Sequence, residues 1–451
     1  MALVTSEPWK AIATPFLPPS EVETAFVSST QKRVVLNPNS DIVPSDGSGQ
    51  SVLDFVMSGS GVTIPSRWRL GLTIVPVGTI DPNQQFDQIP AAIIQSIAIN
   101  NGANNSEIWT CQDYNLWVNL LHKCYPVTKL EVEAPAQGYD VPEVVNGLDA
   151  TPRRVSGSRM TTVNGCYVEI PINPLFWRGF LPLMGNHFLR FVLTMASSVR
   201  SLTNNGVSTT PSPSSWRIPA GKAFLIYDLV LTDMAKNDQI KQAIATGFLL
   251  PGLAYRPVAS YTMAASNSVF QFNLSGVSWR SVQGIAMIPR LTSIVNSATE
   301  AALSTYQHLD VKALRLEIGG NTYPVGDFLR QVTLEGSAQL FDYVRAFTDL
   351  LMRHQDQSTF VSRQTMLPYN YDATKRPGSS TKSFFIYVPL TPVVGHGNGH
   401  DTITIPQQAN IYLETAAALS ASVELQIIVV FDHNTILAGA PVSASTAGVQ
   451  V

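Results

Sequence analysis

Four segments in the first half of the chain recur, in the same order, in the second. Ile97–Gly102 (IAINNG) matches Leu316–Asn321 (LEIGGN), with Ile99 over Ile318 at an offset of 219, and in both an alternating strand runs into a Gly/Asn turn. Ile170–Pro174 (IPINP) matches Val388–Pro392 (VPLTP) at 218. HFLRFVLTM from His187 corresponds to NIYLETAAA from Asn410 at 223, and FLIYDLVLTD, closing on Asp233, to LQIIVVFD, closing on Asp432, at 199. Self-similarity at a nearly fixed offset is the mark of a duplicated unit. Whatever one half folds into, the other must fold into as well.

Each unit reads as β. Short runs rich in Val, Ile, Phe, Tyr and Thr are punctuated by 30 prolines and 29 glycines, the pattern of many strands joined by loops. The expected strands are Thr24–Leu36, Trp68–Val77, Cys166–Ile172, Phe188–Met195 and Ala223–Thr232, then Val269–Leu274, Val311–Ile318, Ser383–Leu390, Ile411–Thr415 and Val423–Phe431. VFQFNL alternates, so Phe270, Phe272 and Leu274 share one face. LQIIVVF is apolar on both faces, as a strand covered on two sides should be. Helical stripes are few. Ser106–Lys123 places Trp117, Leu120, Leu121 and Cys124 together, and Ser337–His354 does the same with Leu340, Val344, Phe347 and Leu351. The polar run Met234–Thr246 reads as a helical connector between the halves.

About eight strands per unit suits a double-sheet jelly roll, which resolves the exposed-edge problem by packing two sheets face to face. The expected fold class is all-β: two tandem eight-stranded jelly-roll β-sandwiches with a few short helices. The expected division is 1–20 as an N-terminal arm, 21–235 as the first jelly roll, 236–250 as the connector, 251–437 as the second jelly roll and 438–451 as a C-terminal tail.

Charge narrows the function. Charged residues are 14% of the chain and the net charge is −3, against roughly 25% charged in ordinary soluble domains. A surface so poor in charge suits burial against copies or partners. The first thirty residues hold one basic side chain, Lys10, and the pairs Lys32-Arg33, Arg153-Arg154 and Lys375-Arg376 are isolated. Phosphate neutralisation needs clustered Lys and Arg, so sequence-specific nucleic-acid binding is not expected. Cys111, Cys124 and Cys166 lack metal-site spacing and read as free thiols of a protein made in a reducing compartment. The N-terminus lacks signal-peptide form, and no 18-residue apolar stretch stands out. A soluble intracellular product is expected.

Cys166–Met195, CYVEIPINPLFWRGFLPLMGNHFLRFVLTM, resembles the strand–loop–strand signature of double-jelly-roll major capsid proteins. That family spans nucleocytoplasmic large DNA viruses, virophages, polinton-like viruses and adintoviruses, and more remotely adenovirus hexon. Ile170, Pro171, Phe176, Trp177, Pro182, Leu183 and His187 occupy the signature's places. Ala223–Met234 is similar to the strand ending the family's first jelly roll, and Phe384–Phe431 to its second half. The resemblance covers roughly residues 20–435 by pattern more than identity. It implies a dsDNA-virus capsid protein made in the host cytoplasm or nucleus and resident in the virion. Its homotrimers would form pseudo-hexagonal capsomers tiling an icosahedral shell. The implied partners are itself, neighbouring capsomers, minor capsid and penton proteins, and an internal membrane where one lies beneath the shell.

No catalytic site or cofactor is expected. VVGHGNGHD holds His396, His400 and Asp401, which could ligate a metal. A Gly-rich loop does not hold an i, i+4 pair on one face as a helix would, so turn material is the plainer reading. GGNTYPVGD (Gly319–Asp327) has glycines but no phosphate-loop context, and no nucleophile-elbow or zinc-protease motif occurs. Trp109, Tyr114 and Trp117 could form a stacking platform but suit core packing of a helix against a sheet. His122, His187, His308, His354 and His433 are scattered. Residues 203–215 read as an exposed loop. If the termini are assembly arms, Trp9 and Phe16 anchor the first and Pro441–Val451 belongs to the second. Two other classes keep the same fold: a carbohydrate-binding, lectin-like double β-sandwich, and a bicupin enzyme, which would need metal-binding histidines on strands in each half.

Overall fold

A computed structural model describes residues 26–36, 40–59, 61–78, 85–86, 90–102, 105–124, 165–177, 180–183, 188–203, 215–232, 234–246, 248–274, 281–295, 303, 306–307, 309, 311–323, 329–330, 385–390 and 409–437. The first half contributes strands β1 (Phe26–Leu36), β2 (Val52–Met57), β3 (Gly61–Thr63), β4 (Arg69–Val77), β5 (Gln85–Phe86), β6 (Ile94–Asn101) and β7 (Glu107–Cys111). Helix α1 (Tyr114–Cys124) follows, then β8 (Cys166–Pro171), β9 (Leu181–Leu183), β10 (Leu189–Met195), the single turn α2 (Ser198–Ser201), β11 (Leu202–Thr203), β12 (Ser215–Arg217) and β13 (Ala223–Thr232). Helix α3 (Met234–Thr246) leads into β14 (Phe248–Met263), β15 (Val269–Leu274), β16 (Val282–Leu291), β17 (Val311–Ile318), β18 (Asn321–Tyr323), β19 (Leu329–Arg330), β20 (Ile386–Pro389), β21 (Ala409–Thr415) and β22 (Val423–Leu437).

The pairings write out the duplication. In the first half β1-β13-β4-β8 form one sheet, extended by β3, β9 and β12, and β2-β10-β6-β7 form the facing one. In the second half the sheets are β14-β22-β16-β20 and β15-β21-β17-β18. Both halves thus place the first, last, third and third-from-last long strands in one layer, with every ladder among the described residues antiparallel. This is a jelly roll, made twice.

The ladders also correct two repeat registers. With Ile170 over Val388, the partners Leu70 and Ile285 coincide, and through them Leu225 and Val429. The residue matching Asp432 is therefore Asp228, not Asp233. Likewise, Ile97 pairs with Leu193 and Leu316 with Ile411, so β10 overlies β21 at an offset of 218 rather than 223. Loops of unequal length shift the sequence match without moving the strands.

Alternation puts the apolar residues between layers. β10 and β21 both bury every second residue, and β15 buries Phe270, Phe272 and Leu274 while exposing Val269, Gln271 and Asn273. Phe55 stacks on Phe191 at 5.2 Å between ring centres, and Trp68 reaches Phe191 edge-on at 5.7 Å from the opposite sheet. In the second unit Tyr261 meets Phe272 at 4.8 Å.

The expected helix Ser106–Lys123 is half right. Its N-terminal part is strand β7, in which Ile108, Trp109 and Cys111 are buried, and only Tyr114–Cys124 is helical. Asp113, with φ of 47°, turns the chain between them, and a left-handed residue cannot sit inside a helix. The connector helix spans Met234–Thr246 as expected, with Ile240 and Ile244 buried. The helix expected at Ser337–His354 lies outside the described residues.

Candidate functional site at the seam between the sandwiches

The two sandwiches are joined by a buried, mostly aromatic seam. From the first unit come Trp109 and Cys111 on β7, Trp117 on α1, and Leu175, Phe176 and Trp177 after β8. From the second come Gly252, Leu253 and Tyr255 on β14, and Phe431, His433 and Thr435 on β22. Trp117 stacks on Tyr255 with ring centres 4.2 Å apart and planes 16° from parallel, and its edge meets Phe176 at 6.4 Å. Trp109 packs edge-on against Phe431 at 5.5 Å and tilted against His433 at 5.2 Å. All are buried.

Hydrogen bonds fix the register of this contact. The Leu253 N–H donates to the Leu175 carbonyl at 2.8 Å, and the Trp177 indole Nε1 donates to Thr435 Oγ1 at 3.2 Å. The segment carrying Trp177 is itself braced. Asn173 Oδ1 accepts from the Trp177 N–H, and Asn173 Nδ2 donates to the Trp177 carbonyl, each at 3.0 Å. Phe176 adopts φ of 50° to point inward. Trp177 also meets Trp68 edge-on at 6.1 Å, linking the seam to the first core. At Gly252 the backbones come so close that a Cβ would lie 2.5 Å from the Leu175 carbonyl oxygen. Glycine is the residue that permits this approach.

Burial keeps the seam uncharged. It pushes the Cys111 thiol and the Tyr255 hydroxyl well above their ordinary ranges and lowers the His433 imidazole to about 4. Loss of water is the leading cause at each. Behind the seam the buried Asp432 carboxylate accepts from Gln283 Nε2 at 2.7 Å and from Ser281 Oγ, inside the second sandwich. Its counterpart Asp228 faces Arg67 at 3.3 Å near the surface.

Trp109, Tyr114 and Trp117 are thus core residues, as their pattern suggested, but two of them pack against the other unit. The F-W pair of the sequence signature, Phe176 and Trp177, is part of the same contact. Tyr255, Gly252 and Thr435 carried no signal of this role, and His433 stood among scattered histidines. Gly319 and Gly320, with φ of 57° and 81°, make the two-residue turn between β17 and β18, the hairpin use of such pairs. His396, His400 and Asp401 lie outside the described residues, as do Trp9, Phe16, Pro441 and Val451. Among the described residues no group of three His, Cys, Asp or Glu side chains could hold a metal ion, and no helix is long and apolar enough to cross a membrane.

No family model and no curated protein sequence matches the chain. The fold has solved counterparts. It is similar to a chain of the PBCV-1 virus capsid, with a TM-score of 0.58 and 10% identity over 93% of this chain and 97% of that one. A chain of the Sputnik virophage structure aligns with a TM-score of 0.54 and 10% identity, over 94% and 89% of the two chains. The mavirus major capsid protein aligns with a TM-score of 0.51 and 11% identity, over 92% and 90%. At such identities the likeness is one of fold, and it extends over both sandwiches.

Proposed function

We propose that this chain is a viral major capsid protein, resident in the virion, whose homotrimers are pseudo-hexagonal capsomers of an icosahedral shell. The observation carrying this reading is the pairing of two sandwiches of like strand order through one interlocked seam. Three such chains around a threefold axis present six similar corners, and near-equivalent edges can tile a flat facet. The likeness to capsid proteins from PBCV-1, Sputnik and mavirus along nearly the whole of each chain supports the same reading. The role is structural, and we assign it no catalytic step or cofactor.

The proposed partners are other copies of the chain, then minor capsid and penton proteins, with a membrane beneath the shell where one exists. Trp9, Phe16 and the segment ending Pro441–Val451 are the proposed anchoring arms, and the two jelly rolls take the bounds 21–235 and 251–437. Light scattering on the purified protein tests the first step. A mass of about 147 kDa, three times the 49.0 kDa chain, is expected. A 49.0 kDa species at every concentration would contradict it.

A further inference from the structure

We propose that the seam is an acid-sensitive joint with His433 as its trigger: a proton taken up by this imidazole parts the second sandwich from the first. His433 is fully buried, on β22 opposite Gly252 and against the Trp109 ring, and among the described residues no protein group hydrogen-bonds Nδ1 or Nε2. Imidazolium presents two N–H donors, and a buried charge without partners is costly. Water can reach the ring only if the units separate.

The surrounding ionisable groups do not relieve that cost. On β22 itself, the Asp432 carboxylate is engaged by Ser281 and Gln283 on the far side of the strand's sandwich. From β14 comes Tyr255 and from β7 Cys111, both held neutral through the acid range by burial. Glu107 at the start of β7 is exposed, and Asp113 and Tyr114 sit at the start of α1. The Trp109 face offers the cation a π partner, which offsets part of the penalty. The ring's value nevertheless lies at about 4 against an ordinary 6.5, with desolvation the cause.

The direction follows from linkage. His433 binds its proton less readily in the closed seam than in the open one, so its contribution is full above pH 6.5. That contribution is lost as pH falls toward 4. Over that window the closed form is disfavoured by at most about 300-fold. The inference stands on the seam and not on any role in a shell.

Cys111, buried in the same contact, is a local reporter of opening. In the full chain carrying Cys124→Ser and Cys166→Ser, its rate of modification by 4,4′-dithiodipyridine is measured against free cysteine at each pH. The normalised rate should rise on the order of 50-fold between pH 7 and 4.5. It should stay within about threefold in the same chain with His433→Phe, and His433→Gln serves as a second neutral variant. An equal rise in parent and variants, or none in the parent, overturns the proposal. Independently, ¹³C-labelled histidine in the unsubstituted protein should show a ring that remains neutral to about pH 5. Titration of all seven histidines near 6.5 would refute it.

Discussion

Gly252→Ala probes the seam with a single added methyl group. Its Cβ would lie 2.5 Å from the Leu175 carbonyl oxygen, 3.0 Å from Trp177 Cδ1 and 3.2 Å from the His433 carbonyl oxygen. Two of the three obstacles are backbone, which cannot rotate away, so β14 must withdraw from the first sandwich. Overpacking of this kind costs about 1–3 kcal/mol. Withdrawal also stretches the Leu253–Leu175 and Trp177–Thr435 hydrogen bonds, worth about 1 kcal/mol each. Against this, alanine restricts the unfolded chain and returns about 0.4–1 kcal/mol. The net loss should be about 2–4 kcal/mol, read from the midpoint of urea unfolding at unchanged slope. A variant within about 0.5 kcal/mol of the parent would refute the reasoning, because it would mean the two backbones do not meet there.

Trp117→Ala removes the ring stacked on Tyr255 and should cost about 3–5 kcal/mol in the same assay, as large-to-small changes at filled sites do. Asp54→Ala breaks the two-pronged contact from Arg190 Nε, at 2.8 Å, and Nη2. Both side chains are about one-third exposed, so the loss should be below about 1 kcal/mol and should shrink further in high salt. A loss above about 2 kcal/mol would show that this outer face of the first sandwich is under more constraint than a surface ion pair provides.

Much of the fold was legible because one rule governs both halves. Where a strand has one buried face, as in Val269–Leu274, period-2 alternation is enough to find it. Where both faces are covered, as in Leu425–Phe431, a solid apolar run does the same. Two long strands were missed for a physical reason. β14 contains Pro251, Gly252 and Pro257, which read as loop, yet it is an edge strand with a bulge after Pro257, where proline is tolerated. β16 carries Gly284 and Pro289, and Gly284 leaves room for the Tyr387 hydroxyl.

The seam was the least legible part. β22 was expected to end at Phe431 because Asp432, His433, Asn434 and Thr435 are polar. Their backbones continue to pair with Pro251–Leu253 and beyond, which carries His433 and Thr435 onto the first sandwich. Contacts between units join residues far apart in sequence, from Leu175 and Leu253 to Trp177 and Thr435, which are 258 positions apart. No local pattern encodes such partners. The F-W segment stood out as a motif, and its packing supplies the reason.

Cryo-electron microscopy of the purified oligomer tests the central claim most directly. A threefold particle of nearly hexagonal outline is expected, with six sandwiches in a ring and each chain supplying two adjacent ones joined through Trp117, Tyr255 and Trp177. A particle without a threefold axis, or one whose chains hold their two sandwiches at variable angles, would contradict it.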